Sequence, residues 1–133
     1  MTTADQTTPV AMLWTGRVFT GLFAAFMLLD LAMKLADLPV VADTMRQLGW
    51  PTDKARLLGA LQLICLVLYL YPRTAVLGAI LVTGYLGGAI ATHVRMGSPL
   101  FTHILFGVYL ALFAWGGLWL RDARLRSLFP WRR

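Results

Sequence analysis

The chain has 133 residues, of which 59% are apolar, and twelve lysines and arginines against six acidic residues give it a formal net charge of +6. One domain is all that this length supports, and so few charges could not cover so much apolar surface in a soluble domain. The basic residues stand at the ends of apolar stretches, not on one soluble face, which argues against nucleic-acid binding. A single cysteine, Cys65, excludes an internal disulfide and a self-contained dithiol oxidoreductase. The composition therefore indicates an all-α membrane protein, with the lipid bilayer as its first partner.

The first nine residues, 1–9, are polar, and we predict a disordered tail there. This segment has no lysine or arginine, and no small-residue cleavage site follows the first apolar stretch. A retained membrane span is therefore expected at the start of the chain, in place of a cleaved secretory signal.

Four apolar stretches predict a four-transmembrane-helix bundle within a membrane domain at residues 10–121, with spans at about 12–33, 55–71, 74–93 and 99–120. The third stretch, Thr74 to Thr92, has nineteen residues without an acidic or basic side chain. As a helix it would be about 28 Å long, close to the ~30 Å hydrocarbon thickness of a bilayer. Residues 122–133 form a basic tail. Seven of the twelve basic residues fall on the side of the two termini, so the positive-inside rule predicts an N-in/C-in orientation and a cytoplasmic tail.

The connection between the first two spans, residues 36–53, is the only long one. Apolar residues recur at helical spacing between Val40 and Leu48. Pro39 suits a first helical turn, and Gly49 suits the end of a helix. This pattern predicts a short amphipathic helix on the outer surface. An irregular loop that caps the bundle is the alternative.

Six ionisable residues at or beside the outward ends of the four spans meet at one membrane leaflet in this topology, and the other leaflet is expected to have no comparable cluster. These candidate ligand-binding residues are Asp30, Lys34, Arg56, His93, Arg95 and His103. Lys34 follows Asp30 by one helical turn, so the two side chains can form an ion pair. Ionisable groups cost roughly 2.5–3.5 kcal/mol each at the centre of a membrane helix. That cost makes the cluster a candidate site.

Several interpretations of this cluster are open. The six side chains could be boundary residues that pair with one another and close the bundle. They could also bind a lipophilic ligand with a polar head, such as a quinone, with imidazole or guanidinium groups on its oxygens. A metal held by His93, His103 and Asp30, or a haem held by both histidines, is disfavoured because the histidines lack a tight ligand spacing. We assign no metal ligand and, since no nucleophile triad or phosphate loop is found, no catalytic residue.

Small residues mark surfaces where helices can pack closely. Gly84 and Gly88 form such a pair on the third span, within the bundle or across a dimer. Gly107, Ala114 and Gly117 share the His103 side of the fourth span. Two further polar residues lie within spans. Gln62 is expected to make an interhelical hydrogen bond, and Tyr85 is expected to lie in the core.

The run GYLGGAIATHVR from Gly84 to Arg95, followed by PLFTH from Pro99 to His103, resembles the DoxX-like family of small bacterial membrane proteins. The run WGGLWLRD that starts at Trp115 resembles the same family, and the resemblance covers about Trp14 to Pro130. It implies a four-helix, multi-pass protein of the bacterial cytoplasmic (inner) membrane. Relatives are linked to quinone-dependent sulfur oxidation, to oxidative-stress complexes or to membrane-protein assembly.

The resemblance implies no catalytic residue set, and His93, Arg95 and His103 are the matching positions at which a shared site would lie. We therefore predict a non-catalytic membrane subunit that binds a quinone or similar lipid at its outer end and serves a redox partner. The alternative is a small membrane interaction or assembly protein with no small-molecule ligand. Both interpretations are compatible with a homo-oligomer. A transporter is disfavoured, because four short spans leave little room for a pathway.

Overall fold

A computed structural model describes residues 8–131 of the chain. The tail predicted at 1–9 therefore falls mostly outside the described residues, as do the last two residues of the basic tail. Between residues 8 and 131 the chain is helical and forms no β-strand. Its elements are α1 (Val10–Leu35), α2 (Pro39–Gln47), a 3₁₀ turn (Thr52–Lys54), α3 (Ala55–Leu70), α4 (Ala75–Arg95), a π-helical turn (Leu100–Ile104), α5 (Phe106–Arg121) and α6 (Ala123–Leu128).

The four long helices form a bundle in which α1 packs along α3 and α5, and α4 packs along the same two helices. On α1 the buried side chains Phe23, Met27 and Leu31 follow one another by one turn, which gives the helix a single inward stripe. They join Ala79 of α4 and Ala114 of α5 in one core, and both alanines are fully buried. Small residues at these two positions let the helices approach closely at the centre.

The outward faces of the bundle carry many large apolar side chains. Leu29 and Leu112, for example, are more than 60% exposed. Three segments are long and apolar enough to cross a membrane: Val10–Leu35, Ala75–Arg95 and Leu100–Arg121. In the most apolar part of each segment, no more than 28% of the residues are buried within the chain. So extensive an apolar surface requires a lipid environment. The chain is a membrane protein.

The second predicted span, at about 55–71, corresponds to α3. This helix has 16 residues, slightly fewer than the ~17 that a span needs at minimum. Tyr71 ends it, because Pro72 has no backbone N–H with which to continue the hydrogen-bond pattern. At its other end a single 3₁₀ turn separates it from Pro51. Three helical segments of the described chain therefore meet the requirements of a span, where the sequence predicts four.

The last predicted span, at about 99–120, is divided at its start. Ile104 N–H donates to Pro99 O at 3.2 Å and Leu105 N–H to Leu100 O at 2.9 Å, which are hydrogen bonds between residues five apart. This wide turn precedes the regular helix α5 and carries His103. Such π-helical turns are rare and occur frequently at functional sites.

The connection between α1 and α3 contains the predicted short helix, α2, and not the irregular loop. Pro39 is its first residue. After its end Gly49 adopts a φ of 75°, and Trp50 N–H donates to Met45 O at 2.8 Å, a Schellman-type closure that needs a left-handed residue. Val41 and Met45 are buried against the start of α3. The helix is thereby fixed near one end of the bundle.

Candidate ligand cavity

A cavity of about 460 Å³ lies among α1, α3, α4 and the start of α5, and α2 contributes a further wall. Cavities of 300–1,000 Å³ typically hold small molecules. Most of the lining is apolar. Phe26 and Phe106 meet edge to face on one side, with ring centroids 4.9 Å apart. An apolar cavity with a few convergent polar groups is the usual form of a ligand site.

Four of the side chains that line this cavity form a hydrogen-bonded set, which we call the Lys34 network: Asp30, Lys34, Gln62 and Tyr85. Lys34 Nζ donates to Asp30 Oδ2 at 2.6 Å and to Gln62 Oε1 at 2.9 Å. A third bond from Lys34 reaches the hydroxyl of Tyr85 at 3.0 Å. Gln62, which is fully buried, donates to Asp30 Oδ2 at 2.9 Å and to Met27 O at 3.2 Å. The network joins α1, α3 and α4.

His93 and His103 also line the cavity, and their rings meet edge to face with centroids 5.6 Å apart. Nδ1 of His93 lies 3.0 Å from Ser98 Oγ, and Nδ1 of His103 lies 2.8 Å from Thr102 Oγ1. Each hydroxyl orients one ring nitrogen. The described residues provide no hydrogen-bond partner for either Nε2 atom. These atoms can donate or accept, depending on the tautomer.

A sequence model of the DoxX-like family matches residues 18–117. The match spans most of the chain and includes every residue of the Lys34 network and both histidines. The chain belongs to the DoxX-like family. No curated protein and no solved structure matches it.

In this DoxX-like protein the structure separates Arg56 and Arg95 from the other four members of the predicted six-residue cluster. Both are exposed, and neither lines the cavity. Arg56 directly follows the buried Ala55, and one residue turns a helix by about 100°, so its side chain points outward. Arg95 lies two residues beyond His93, about 200° around the helix. Its Nη2 instead donates to Leu48 O at 2.9 Å, beside the end of α2.

Gln62 and Tyr85 belong to the candidate site of this DoxX-like protein, although their sequence pattern predicts only an interhelical hydrogen bond for Gln62 and a core position for Tyr85. Gln62 does make the expected interhelical hydrogen bonds. Tyr85 donates to Gln62 Oε1 at 3.0 Å while it accepts from Lys34. Gln62 is an amide in an otherwise apolar run, and the hydroxyl of Tyr85 lies within an uncharged stretch, which is the signal that the sequence offers. Their pairing could not be read from the sequence, because it depends on the register of α3 against α4.

The small residues of the DoxX-like chain divide into two groups. A Cβ added at Gly107 would lie 2.7 Å from Ile90 Cγ1, and one added at Gly117 would lie 2.5 Å from Thr20 Oγ1. These glycines lie at helix contacts. Gly84 and Gly88 instead have no atom within 4 Å of such a Cβ, and both line the cavity. For this pair the structure differs from the expectation of close packing within the bundle.

Among residues 8–131, no three histidine, cysteine, aspartate or glutamate side chains are grouped as metal ligands would be.

The opposite end of the bundle has a polar cluster that the sequence does not predict. The buried Tyr69 donates to Ala114 O at 2.6 Å and contacts Thr20 Oγ1 at 3.1 Å. Arg121 donates to the same Thr20 oxygen at 3.0 Å. This cluster ties α1, α3 and α5 together.

Proposed function

We propose that this DoxX-like protein binds a lipophilic small molecule with a polar head, of the quinone class, in the cavity beside the Lys34 network. The observation that carries the proposal is the combination of an apolar cavity of about 460 Å³ with polar side chains confined to a few positions. Phe26 and Phe106 offer ring edges and faces to a flat head group. The apolar outer surface of the bundle brings the cavity into the phase in which such molecules dissolve.

The two histidines are the groups that suit quinone oxygens. The Nε2 atoms of His93 and His103 have no partner among the described residues, and an N–H there would donate to a carbonyl oxygen. Val41 and Met45 of α2 line the cavity and would reduce the access of water to the head group. A quinone, when bound, supplies two-electron, two-proton redox chemistry. The chain itself would hold and orient it, as the non-catalytic subunit of a redox partner.

The proposal includes four membrane spans in the bacterial cytoplasmic membrane, with both termini inside. The 3₁₀ turn Thr52–Lys54 continues into α3 without a break and extends its 16 residues, which supports a fourth crossing. The basic residue Arg121 ends the last span and Arg124 and Arg126 follow it, which is consistent with an inner-side C-terminus. Labelling of a cysteine placed at Ser127, in a Cys65→Ser background, is expected only after the membrane has been made permeable. Labelling in intact cells would contradict the orientation.

A second candidate function, a membrane interaction or assembly protein, is favoured by one observation. Every N–H and O–H of Lys34, Gln62 and Tyr85 already has a partner within the chain. A network that satisfies itself can stabilise a bundle without any ligand.

The deciding experiment fills the cavity without disturbing the fold. Gly88→Leu places a side chain in the cavity, where no atom lies within 4 Å of the new Cβ. Gly21→Leu is the matched control, since Gly21 also faces open space but lies on the outer face of α1, away from the cavity. Each protein is purified in mild detergent and extracted with organic solvent, and quinone is measured by its oxidised-minus-reduced ultraviolet spectrum.

We expect near-stoichiometric quinone with the wild type and with Gly21→Leu, and little with Gly88→Leu. A wild type with no quinone above the level of copurified lipid would refute quinone binding. Equal amounts in all three proteins would show that the quinone is bound elsewhere or is merely dissolved in the micelle. The first result would favour the assembly function, and the second would refute binding in this cavity.

A further inference from the structure

We infer that the cavity selects ligands that carry a hydroxyl head group on an apolar body. The hydroxyl donates a hydrogen bond, and Asp30 Oδ1 accepts it. This inference deepens the proposed function and rests on it, because it requires that the cavity binds a lipophilic ligand.

Every hydrogen-bond donor of the Lys34 network already has a partner within the chain. An ammonium group has three N–H donors, and those of Lys34 are directed to Asp30, Gln62 and Tyr85. The two hydrogens of the Gln62 amide go to Asp30 Oδ2 and to a backbone carbonyl of α1. The Tyr85 hydroxyl donates to Gln62 Oε1. The network therefore has no donor left for a ligand.

The Asp30 carboxylate, in contrast, has an oxygen that accepts no hydrogen bond from the described residues. Both hydrogen bonds that Asp30 accepts, from Lys34 and from Gln62, end on Oδ2. No described residue donates to Oδ1. Buried side-chain nitrogen and oxygen atoms all have partners in the described chain, so Oδ1 is accessible. The Asp30 side chain is 31% exposed and lines the cavity. The network thus presents a charged acceptor to the ligand.

The cavity is therefore expected to prefer one kind of ligand head group over another. A carbonyl oxygen placed against Asp30 Oδ1 would meet a second acceptor and lose its hydrogen bond with water, whereas a hydroxyl would donate to a carboxylate. Hydrogen bonds to charged groups are the stronger class. His93 and His103, which can donate or accept, do not oppose this preference. Within the quinone class the reduced form, a quinol, has the required head, as do a phenol and a long-chain alcohol, whereas the oxidised form and an ether have no hydrogen to donate to Asp30 Oδ1.

The test uses a matched pair of probes that undergo no redox reaction, 4-nonylphenol and its methyl ether. They share the apolar body and differ in whether the head can donate. Binding to the full-length protein in detergent micelles is measured by titration calorimetry, with probe concentrations expressed per mole of detergent. We expect the phenol to bind the wild type at least about tenfold more tightly than the ether.

The variant Asp30→Asn tests whether the Asp30 carboxylate is the group that accepts the hydrogen bond. Its amide oxygen can take the place of Oδ2 opposite Lys34 and Gln62, which turns the NH₂ group towards the cavity and replaces an acceptor with a donor. The preference for the phenol should then fall to equality or reverse in favour of the ether. Arg56→Ala, an exposed site outside the cavity, is the control and should keep the wild-type ratio.

The outcomes separate the two proposals. If neither probe binds the wild type, the proposed function fails, and this inference fails with it. If both bind with equal affinity, the cavity is a ligand site but the assigned role of Asp30 is overturned. Should Asp30→Asn fail to elute as a folded protein, the wild-type ratio of the two probes still decides the inference.

Discussion

The contact between α1 and α5 should not tolerate a single added methyl group at Gly117. A Cβ there would lie 2.9 Å from the backbone nitrogen of Thr20 and 3.0 Å from Gly16 O, where ordinary contacts begin at 3.4 Å. These are backbone atoms, so the two helices would have to separate by about 0.5 Å, the difference between 3.4 and 2.9 Å. Overpacking of this kind costs typically about 1–3 kcal/mol. The higher helix propensity of alanine offsets about 1 kcal/mol of this loss in stability.

Gly88→Ala is the matched change, because the same methyl group would meet open space. Only the propensity term then applies, and the variant should be unchanged or more stable by up to about 1 kcal/mol. Unfolding by sodium dodecyl sulfate in mixed micelles, followed by far-ultraviolet circular dichroism, should rank Gly117→Ala below the wild type and Gly88→Ala at or above it. The reasoning is refuted if the two variants have the same free energy of unfolding.

Two further predictions concern polar contacts. Gln62→Leu should lower the free energy of unfolding by about 2–5 kcal/mol, because it leaves hydrogen-bonding groups of Lys34 and Tyr85 without partners at a largely buried site; a loss within about 0.5 kcal/mol, the range of an ordinary surface change, would contradict this. Asp122→Ala should remove the cap of α6, where Asp122 Oδ1 accepts from Arg124 N–H at 2.9 Å. That cap contributes about 1 kcal/mol, so the Arg124 amide should exchange with deuterium about fivefold faster. Asp43→Ala, which removes an exposed carboxylate of α2, is its control, and equal exchange of the Arg124 amide in the two variants would count against the cap.

The sequence was sufficient to predict the class of this protein, its family and most of its helix boundaries. Long apolar runs define the helices, and Pro39, Gly49 and Pro72 stand where the predicted helices begin or end. The i,i+4 ion pair of Asp30 and Lys34 was also readable, because it depends on the geometry of one helix alone.

Features that depend on how the helices meet were harder to predict. Arg56 and Arg95 were grouped with the site by their membrane depth, but the rotation of each helix turns them outward. The surroundings of Gly84 differ from the expectation because a small residue can face a neighbouring helix or a cavity with the same sequence pattern. Tyr69 gave no signal of its polar partners, since Thr20 and Arg121 lie on two other helices.

The ion pair between Lys34 and Asp30 also bears on how the protein is made. Because both residues belong to α1, their charges can cancel before α3 and α4 have left the ribosome. The first segment then enters the lipid without a net charge at that depth, which avoids much of the cost of roughly 2.5–3.5 kcal/mol for each unpaired ionised side chain at a helix centre. Gln62 and Tyr85 arrive later in synthesis and complete the remaining hydrogen bonds. Insertion of α1 can thus precede assembly of the Lys34 network, because Asp30 and Lys34 already neutralise each other within one helix.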